Sequence, residues 1–281
     1  MDIMKTNVFL FALVLGGFIF QSCDDDDTNA HFVNEEAKAA FNVMYPDASR
    51  VEWEKEGDYY VVDFYNDNKS KEAWYNNGGE WFLTETDIRF EELPLPIQTA
   101  FNTSEYSSWQ KEDVDMIERP EMETLYVIEV EKGQEEYDLY YSADGMLIKA
   151  EPDSDNSNGN YLPQVIPNEI KEYIATNYPQ AKIIETDFEN GRYEVDIIEG
   201  AKHKELIFDP EGEWISTETE VGKAEIPSVV ISALEASEYG SYRIDDIDYF
   251  ETPSGNYYLF ELESGSHEVH LKINLQGVII K

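Results

Sequence analysis

Tyr60-Val61-Val62-Asp63, Tyr126-Val127-Ile128-Glu129, Tyr193-Glu194-Val195-Asp196 and Tyr258-Leu259-Phe260-Glu261 are four versions of one segment: a tyrosine, two residues, then an acid. A glycine follows each tyrosine 19 residues later, at Gly79, Gly145, Gly212 and Gly277. The tyrosines lie 65 to 67 residues apart, so the chain is a fourfold repeat, and the repeat has to be recognised before any fold is assigned. Within each copy the apolar residues recur at period two, the signature of a half-buried strand. Tyr60, Val62 and Phe64 share a face, as do Tyr126, Ile128 and Val130, then Tyr193, Val195 and Ile197, and finally Tyr258, Phe260 and Leu262.

A longer duplication overlies the short one. Tyr45-Pro46-Asp47-Ala48 recurs 133 residues later as Tyr178-Pro179-Gln180-Ala181, and Ser104-Glu105-Tyr106 recurs at the same offset as Ser237-Glu238-Tyr239. Asp113-Val114-Asp115 matches Asp246-Ile247-Asp248 in the same way. The units therefore run A-B-A-B, a pair duplicated whole. Asp153 to Asn160 is polar throughout and has linker composition. The expected organisation is a leader at 1–22, an acidic tether at 23–33 and a first pair at 34–152, with units 34–92 and 93–152. A linker at 153–161 precedes a second pair at 162–281, with units 162–224 and 225–281. A unit of about 60 residues buries a marginal core alone, so the pair is the expected folding unit.

Each unit predicts a helix followed by four antiparallel strands, an α+β arrangement. Pro167 opens Ile170, Tyr173, Ile174 and Tyr178 at helical spacing, and Pro179 closes it. Asn34 is the candidate N-cap for Ala37, Ala40, Phe41 and Met44, while Pro94 and Pro227 mark the other two starts. The helix should cover one sheet face and leave the other to water.

The order helix, Tyr-Pro-x-Ala, charged strand, Tyr-x-Val-Asp, then aromatic-Asp-x-x-Gly-x-Trp resembles the PepSY-like, beta-lactamase-inhibitor-like (BLIP-like) family of bacterial envelope proteins. Phe208-Asp209-Pro210-Glu211-Gly212-Glu213-Trp214 and Tyr75-Asn76-Asn77-Gly78-Gly79-Glu80-Trp81 carry it best. Units two and four depart from it, lacking Tyr-Pro-x-Ala and placing Leu147 and Ile279 where the tryptophans stand. The resemblance implies a small α+β fold, an envelope location and a binding or inhibitory role; inhibition of a beta-lactamase does not follow from the fold.

Lys5, the apolar run Val8 to Phe20, and Gln21-Ser22-Cys23 make a secretory leader too short for a comfortable membrane span. Cys23, the one cysteine, stands where a bacterial lipobox places its lipidated residue, although Phe20 and Gln21 replace the usual leucine and small residue. Asp24 to Asp27 then resemble the acidic run that sends some lipoproteins to the outer cell surface. The chain is therefore expected at the outer membrane, facing the periplasm or the exterior. Its net charge of −40 disfavours nucleic acid and anionic lipid, and favours basic partners or cations; no nucleic-acid partner is expected.

Catalytic chemistry is not evident. His267 and His270 lie three apart on a strand and should point to opposite faces, which leaves no shared metal. Asp153, Asp155 and Ser157 begin like an EF-hand loop, but Asn158 stands at its glycine position and Gln164 at its twelfth. Asp113 with Asp115, and Asp246 with Asp248, each set two carboxylates on one side of a strand and are weak calcium candidates. The remaining candidate is the open sheet face. Asp63, Glu129, Asp196 and Glu261 share one strand position in the four units, and repeat alignment puts Trp74, Tyr140, Ile207 and Lys272 beside them. Trp74 and Tyr140, aromatics on a face expected to meet water, resemble interface anchors. The expected function is a non-enzymatic envelope lipoprotein that binds a basic protein or peptide there, without a cofactor. A calcium-responsive protein and a hydrolase or peptidase inhibitor are the alternatives.

Overall fold

The structure is a computed structural model and describes residues 32–152 and 161–280. Cys23, the leader, Asp24 to Asp27 and the EF-hand-like aspartates lie outside the described residues. Unit one comprises α1 (Glu35–Met44), β1 (Ser49–Glu56), β2 (Tyr59–Asn66), β3 (Lys69–Asn76) and β4 (Trp81–Asp87). Unit two adds α2 (Leu95–Thr103), β5 (Gln110–Glu118), β6 (Leu125–Lys132), β7 (Glu135–Ser142) and β8 (Leu147–Pro152). Unit three holds α3 (Asn168–Asn177), β9 (Lys182–Glu189), β10 (Arg192–Glu199), β11 (Lys202–Phe208) and β12 (Trp214–Glu220). Unit four closes with α4 (Ser228–Glu235), β13 (Arg243–Glu251), β14 (Tyr257–Ser264), β15 (His267–Asn274) and β16 (Ile279–Ile280).

Strands β1 to β8 form one antiparallel sheet in sequence order and β9 to β16 a second. The two units of a pair are fused through β4–β5 and β12–β13, so neither half-sheet has a free edge at the join. One face of each sheet is covered by its helices. Phe41 of α1 packs on Val62, Phe64 and Tyr75, and Phe101 of α2 on Ile128, Val130 and Leu139. Ile170 with Val195 and Leu206, and Val230 with Phe260 and Ile273, repeat the arrangement in the second pair. Asn34 caps α1 as its sequence predicts, its Oδ1 accepting from Ala37 N at 2.8 Å.

The recurrent glycine is the meeting point of hairpin and helix. Gly79 has φ +75°, and a Cβ there would lie 2.5 Å from Glu36 O in the first turn of α1. Gly145 has φ +88° and abuts Pro96 in the first turn of α2. Both the left-handed backbone and the close approach of the helix exclude a side chain.

Tyr-Pro-x-Ala and the hairpin tryptophan also act together. Tyr45 Oη and Trp81 Nε1 meet the hydroxyl of buried Thr84, at 2.7 and 2.9 Å. Tyr178 and Trp214 meet Thr217 in the same way, both at 3.0 Å. Units one and three, which alone carry both the tyrosine and the tryptophan, thus share one hydrogen-bond centre.

One expectation fails. The outer face of the first sheet is not open to water: Trp74 is 2% exposed and Tyr140 3%. Both lie on the face away from the helices, but the second pair covers it. Tyr161, Leu162, Ile184 and Ile198 pack there against Val61, Trp74, Leu83, Ile117, Leu125, Val127 and Tyr140.

Candidate interaction surface

The pleat puts every second residue of a strand on the outer face, and the register then aligns acids across strands. In the first sheet Glu52, Asp63, Glu72 and Glu85 are successive cross-strand partners from β1 to β4. Asp87 faces Asp115, and Glu129 faces Asp138, which faces Glu151. In the second sheet Glu185, Asp196, Glu205 and Glu218 form the equivalent row, and Asp246, Glu261 and His270 another. Like charges directly opposite on a sheet repel. All four repeated acids, Asp63, Glu129, Asp196 and Glu261, thus stand on outer faces, and Asp113, Asp115, Asp246 and Asp248 belong to the same belts.

Burial and crowding raise several of these carboxyls. Asp115 is pushed up to about 9, first by burial and then by Glu85, Asp113, Asp87 and Glu129. Burial, with Glu72 and Asp113 behind it, moves Glu85 to about 7. Glu218 reaches about 7 and Asp248 about 6, again through burial first and neighbouring acids second. His203 Nε2 donates to the Asp196 carboxylate at 2.9 Å. Burial opposes its protonation, but the Asp196 contact prevails and its pKa is raised.

The contact between the pairs is part apolar and part ionic. Arg119 is 6% exposed, and its Nη2 donates to Ile184 O at 2.7 Å. Glu123 N donates to Ile183 O at 2.8 Å. Lys149 meets Glu185 at 3.0 Å, Lys182 meets Glu123 at 2.9 Å and Lys171 meets Glu121 at 2.6 Å. Beside this contact a cleft of about 820 Å³ runs between the pairs, lined by Trp81, Phe82, Met122, Ile174 and Tyr178.

Among the described residues no element covers the outer face of the second sheet. Ile207 on β11, Phe250 on β13, and Tyr257 and Leu259 on β14 lie there half-buried. The Phe250 and Tyr257 rings stack at 5.0 Å with 11° between planes, and Lys272 Nζ sits 5.1 Å from the Tyr257 centroid. The expectation about histidines is refined here. His270 meets Glu261 at 3.2 Å and Glu268 at 3.3 Å, so register, rather than the His267/His270 spacing, brings a histidine to two carboxylates. These surface contacts join partly exposed groups.

Trp74 and Tyr140 are therefore enclosed rather than free to meet a partner, and the sequence carried a signal of this. β2, β3 and β7 carry consecutive apolar residues, as in Val61-Val62, Ala73-Trp74-Tyr75 and Leu139-Tyr140-Tyr141, which mark strands buried on both faces. Ile183-Ile184 and Ile197-Ile198 identify the covering strands in the same way.

These features define a class: an acidic α+β protein of tandem helix-and-four-strand units, with acid-lined outer sheet faces. The chain matches the family described as "Putative beta-lactamase-inhibitor-like, PepSY-like" over residues 58–149, 156–204 and 191–281, well over half its length, and belongs to that family. Among solved structures it is similar to a BLIP-like protein from Bacteroides fragilis, with 33% identity and a TM-score of 0.43, covering 44% of this chain and 91% of that one. A DUF2874 family protein from Bacteroides uniformis shows 27% identity and a TM-score of 0.44, over 46% of this chain and 95% of its own. A protein from Bacteroides eggerthii described as "putative periplasmic" shows 25% identity and a TM-score of 0.43, over 45% and 94%. No curated protein matches the chain.

Proposed function

We propose that this is a non-catalytic cell-envelope lipoprotein, anchored through Cys23, that binds a protein partner on the outer face of its second sheet. The observation that carries the reading is the contrast between two copies of one surface. The first copy is apolar and buried under the second pair, whereas the second leaves Ile207, Phe250, Tyr257 and Leu259 half-buried. Aromatic and aliphatic side chains ringed by carboxylates suit a partner with apolar anchors and basic residues. The acid rows would accelerate its encounter and make binding weaken as salt rises.

The test is quantitative capture of basic envelope proteins by the wild-type chain and by a Phe250→Ser, Leu259→Ser variant, followed by binding of the identified partner at two salt concentrations. Equal capture by both chains would sink the face. Anchoring is tested separately: metabolic labelling with a fatty-acid analogue should mark the wild type and not Cys23→Ala.

A further inference from the structure

The contact that joins the two pairs is made between repeats, so the chain carries each half of it twice. One half is a knob, Ile184 on the bulged strand β9 and Ile198 on its neighbour β10, at 1% and 4% exposure. The other is the face that holds it, which includes Trp74, Ile117, Leu125 and Val127. The duplication places Val51 and Tyr65 where Ile184 and Ile198 stand, 133 residues earlier. β1 shifts register at the same point, between Ser49 and Glu52, so the bulge recurs, although Arg50 within it is left-handed at φ +55° where Ile183 is not. Val51 is 39% and Tyr65 40% exposed. By the same duplication Ile207, Phe250, Tyr257 and Leu259 stand where Trp74, Ile117, Leu125 and Val127 do. Among the described residues the knob of the first pair and the face of the second are therefore left without a counterpart.

We propose that the first pair of one molecule docks on the second sheet of another, head to tail, repeating between copies the contact that already joins the pairs. The inference rests on the binding face proposed above and names its partner as a second copy of this chain. Arg50 lies over the Tyr65 ring, 5.0 Å from its centroid, and so adds a guanidinium to the knob. The face it approaches carries the acids Glu218 and Asp248, whose ionised forms an arriving guanidinium favours, although the chain as a whole is acidic. The copy of the face is reduced, with Glu194, Ser216 and Lys272 in place of Val61, Leu83 and Tyr140. The contact between molecules is accordingly reversible, whereas the one within the chain benefits from tethering. It is also heterologous: each dimer leaves one knob and one face free, and assembly continues into short chains or closes into a ring. With a net charge of −40 per molecule, salt screens the repulsion between copies and strengthens assembly. A basic partner would respond to salt in the opposite sense.

The experiment is sedimentation velocity on the full chain over a range of concentration and salt. Two variants accompany it, Val51→Asp with Tyr65→Asp to disable the knob, and Phe250→Ser with Leu259→Ser to disable the face. The wild type should form larger species as concentration and salt rise. Each variant alone should stay monomeric, and an equimolar mixture should give dimers and nothing larger, because it contains one working knob and one working face. A wild type that is monomeric throughout overturns the proposal, as does association that survives either variant. Should the face variant lose its melting transition, Val51→Cys and Leu259→Cys chains, both carrying Cys23→Ser, provide a second readout. Crosslinks should form between the two chains and not within either population, and their absence counts against the contact. A monomeric wild type whose capture of a basic partner is lost in the face variant overturns this inference alone and leaves the proposed function standing. Head-to-tail dimers without any basic partner give the converse result.

Discussion

Trp74 and Ile207 occupy one position of the repeat and illustrate how much a residue's role depends on what covers it. Trp74 is enclosed by the second pair, its Nε1 donating to Glu72 at 2.6 Å, whereas Ile207 is half-buried on an uncovered sheet. Trp74→Ala should therefore cost about 3–5 kcal/mol in urea unfolding, the range for a buried aromatic, while Ile207→Ala should cost far less. Similar losses for the two would show that the second face is covered as well. Thr217 is the other informative residue. Its hydroxyl serves both Tyr178 and Trp214, so Thr217→Val leaves two polar groups without a partner in a packed site. Each group stranded in this way costs about 1–3 kcal/mol, and the variant should lose more stability than its change in volume explains. Equal melting temperatures for Thr217→Val and wild type would remove the shared hydroxyl from the account of units one and three.

At the scale of strands, the period-two pattern, the proline starts and the glycine hairpins made the helix-plus-four-strand unit legible, because each depends on local backbone physics. The outer faces were less legible. Asp63 or Glu129 looks like an ordinary solvated residue in one strand, and only the register reveals rows of acids facing acids. That crowding has a pH consequence with a definite sign. Asp115, Glu85, Glu218 and Asp248 have folded-state pKa values of about 9, 7, 7 and 6, all above the ordinary carboxyl range. The folded chain thus holds protons that the unfolded chain has released, and stability must fall as pH rises through this window. The melting temperature should be higher at pH 5 than at pH 8.5. Asp115→Asn should flatten the upper part of the profile, and calcium should raise the melting temperature more at pH 8.5 than at pH 5. A profile that rises with pH would show that these carboxylates find compensating partners in solution.

On the scale of the whole molecule, the pairs are not beads on a string. The second presents Ile184 and Ile198 to a face of the first that would otherwise expose Trp74, Tyr140, Leu125 and Val127. The sequence concealed this because nothing local to a strand reports which distant surface will meet it; paired apolar residues say that both faces are covered, without saying by what. The consequence is energetic coupling. Buried apolar area contributes roughly 25 cal/mol per Å², and removing the knob returns this area to water on both sides. Ile184→Asp with Ile198→Asp should leave each sheet with its helix-side core intact and separate their unfolding. Calorimetry should then replace one cooperative transition with two, the lower accompanied by binding of a hydrophobic dye to the uncovered first sheet. The ion pair Lys182–Glu123 lies at the partly exposed margin of the contact and contributes little in comparison, so Lys182→Ala alone should keep the single transition. Retention of one transition in the double-aspartate variant would mean that Arg119 and the backbone bond from Glu123 to Ile183 suffice to hold the pairs together. In that case the apolar knob would lose its place as the coupling element, and with it the physical basis for expecting its duplicate to bind.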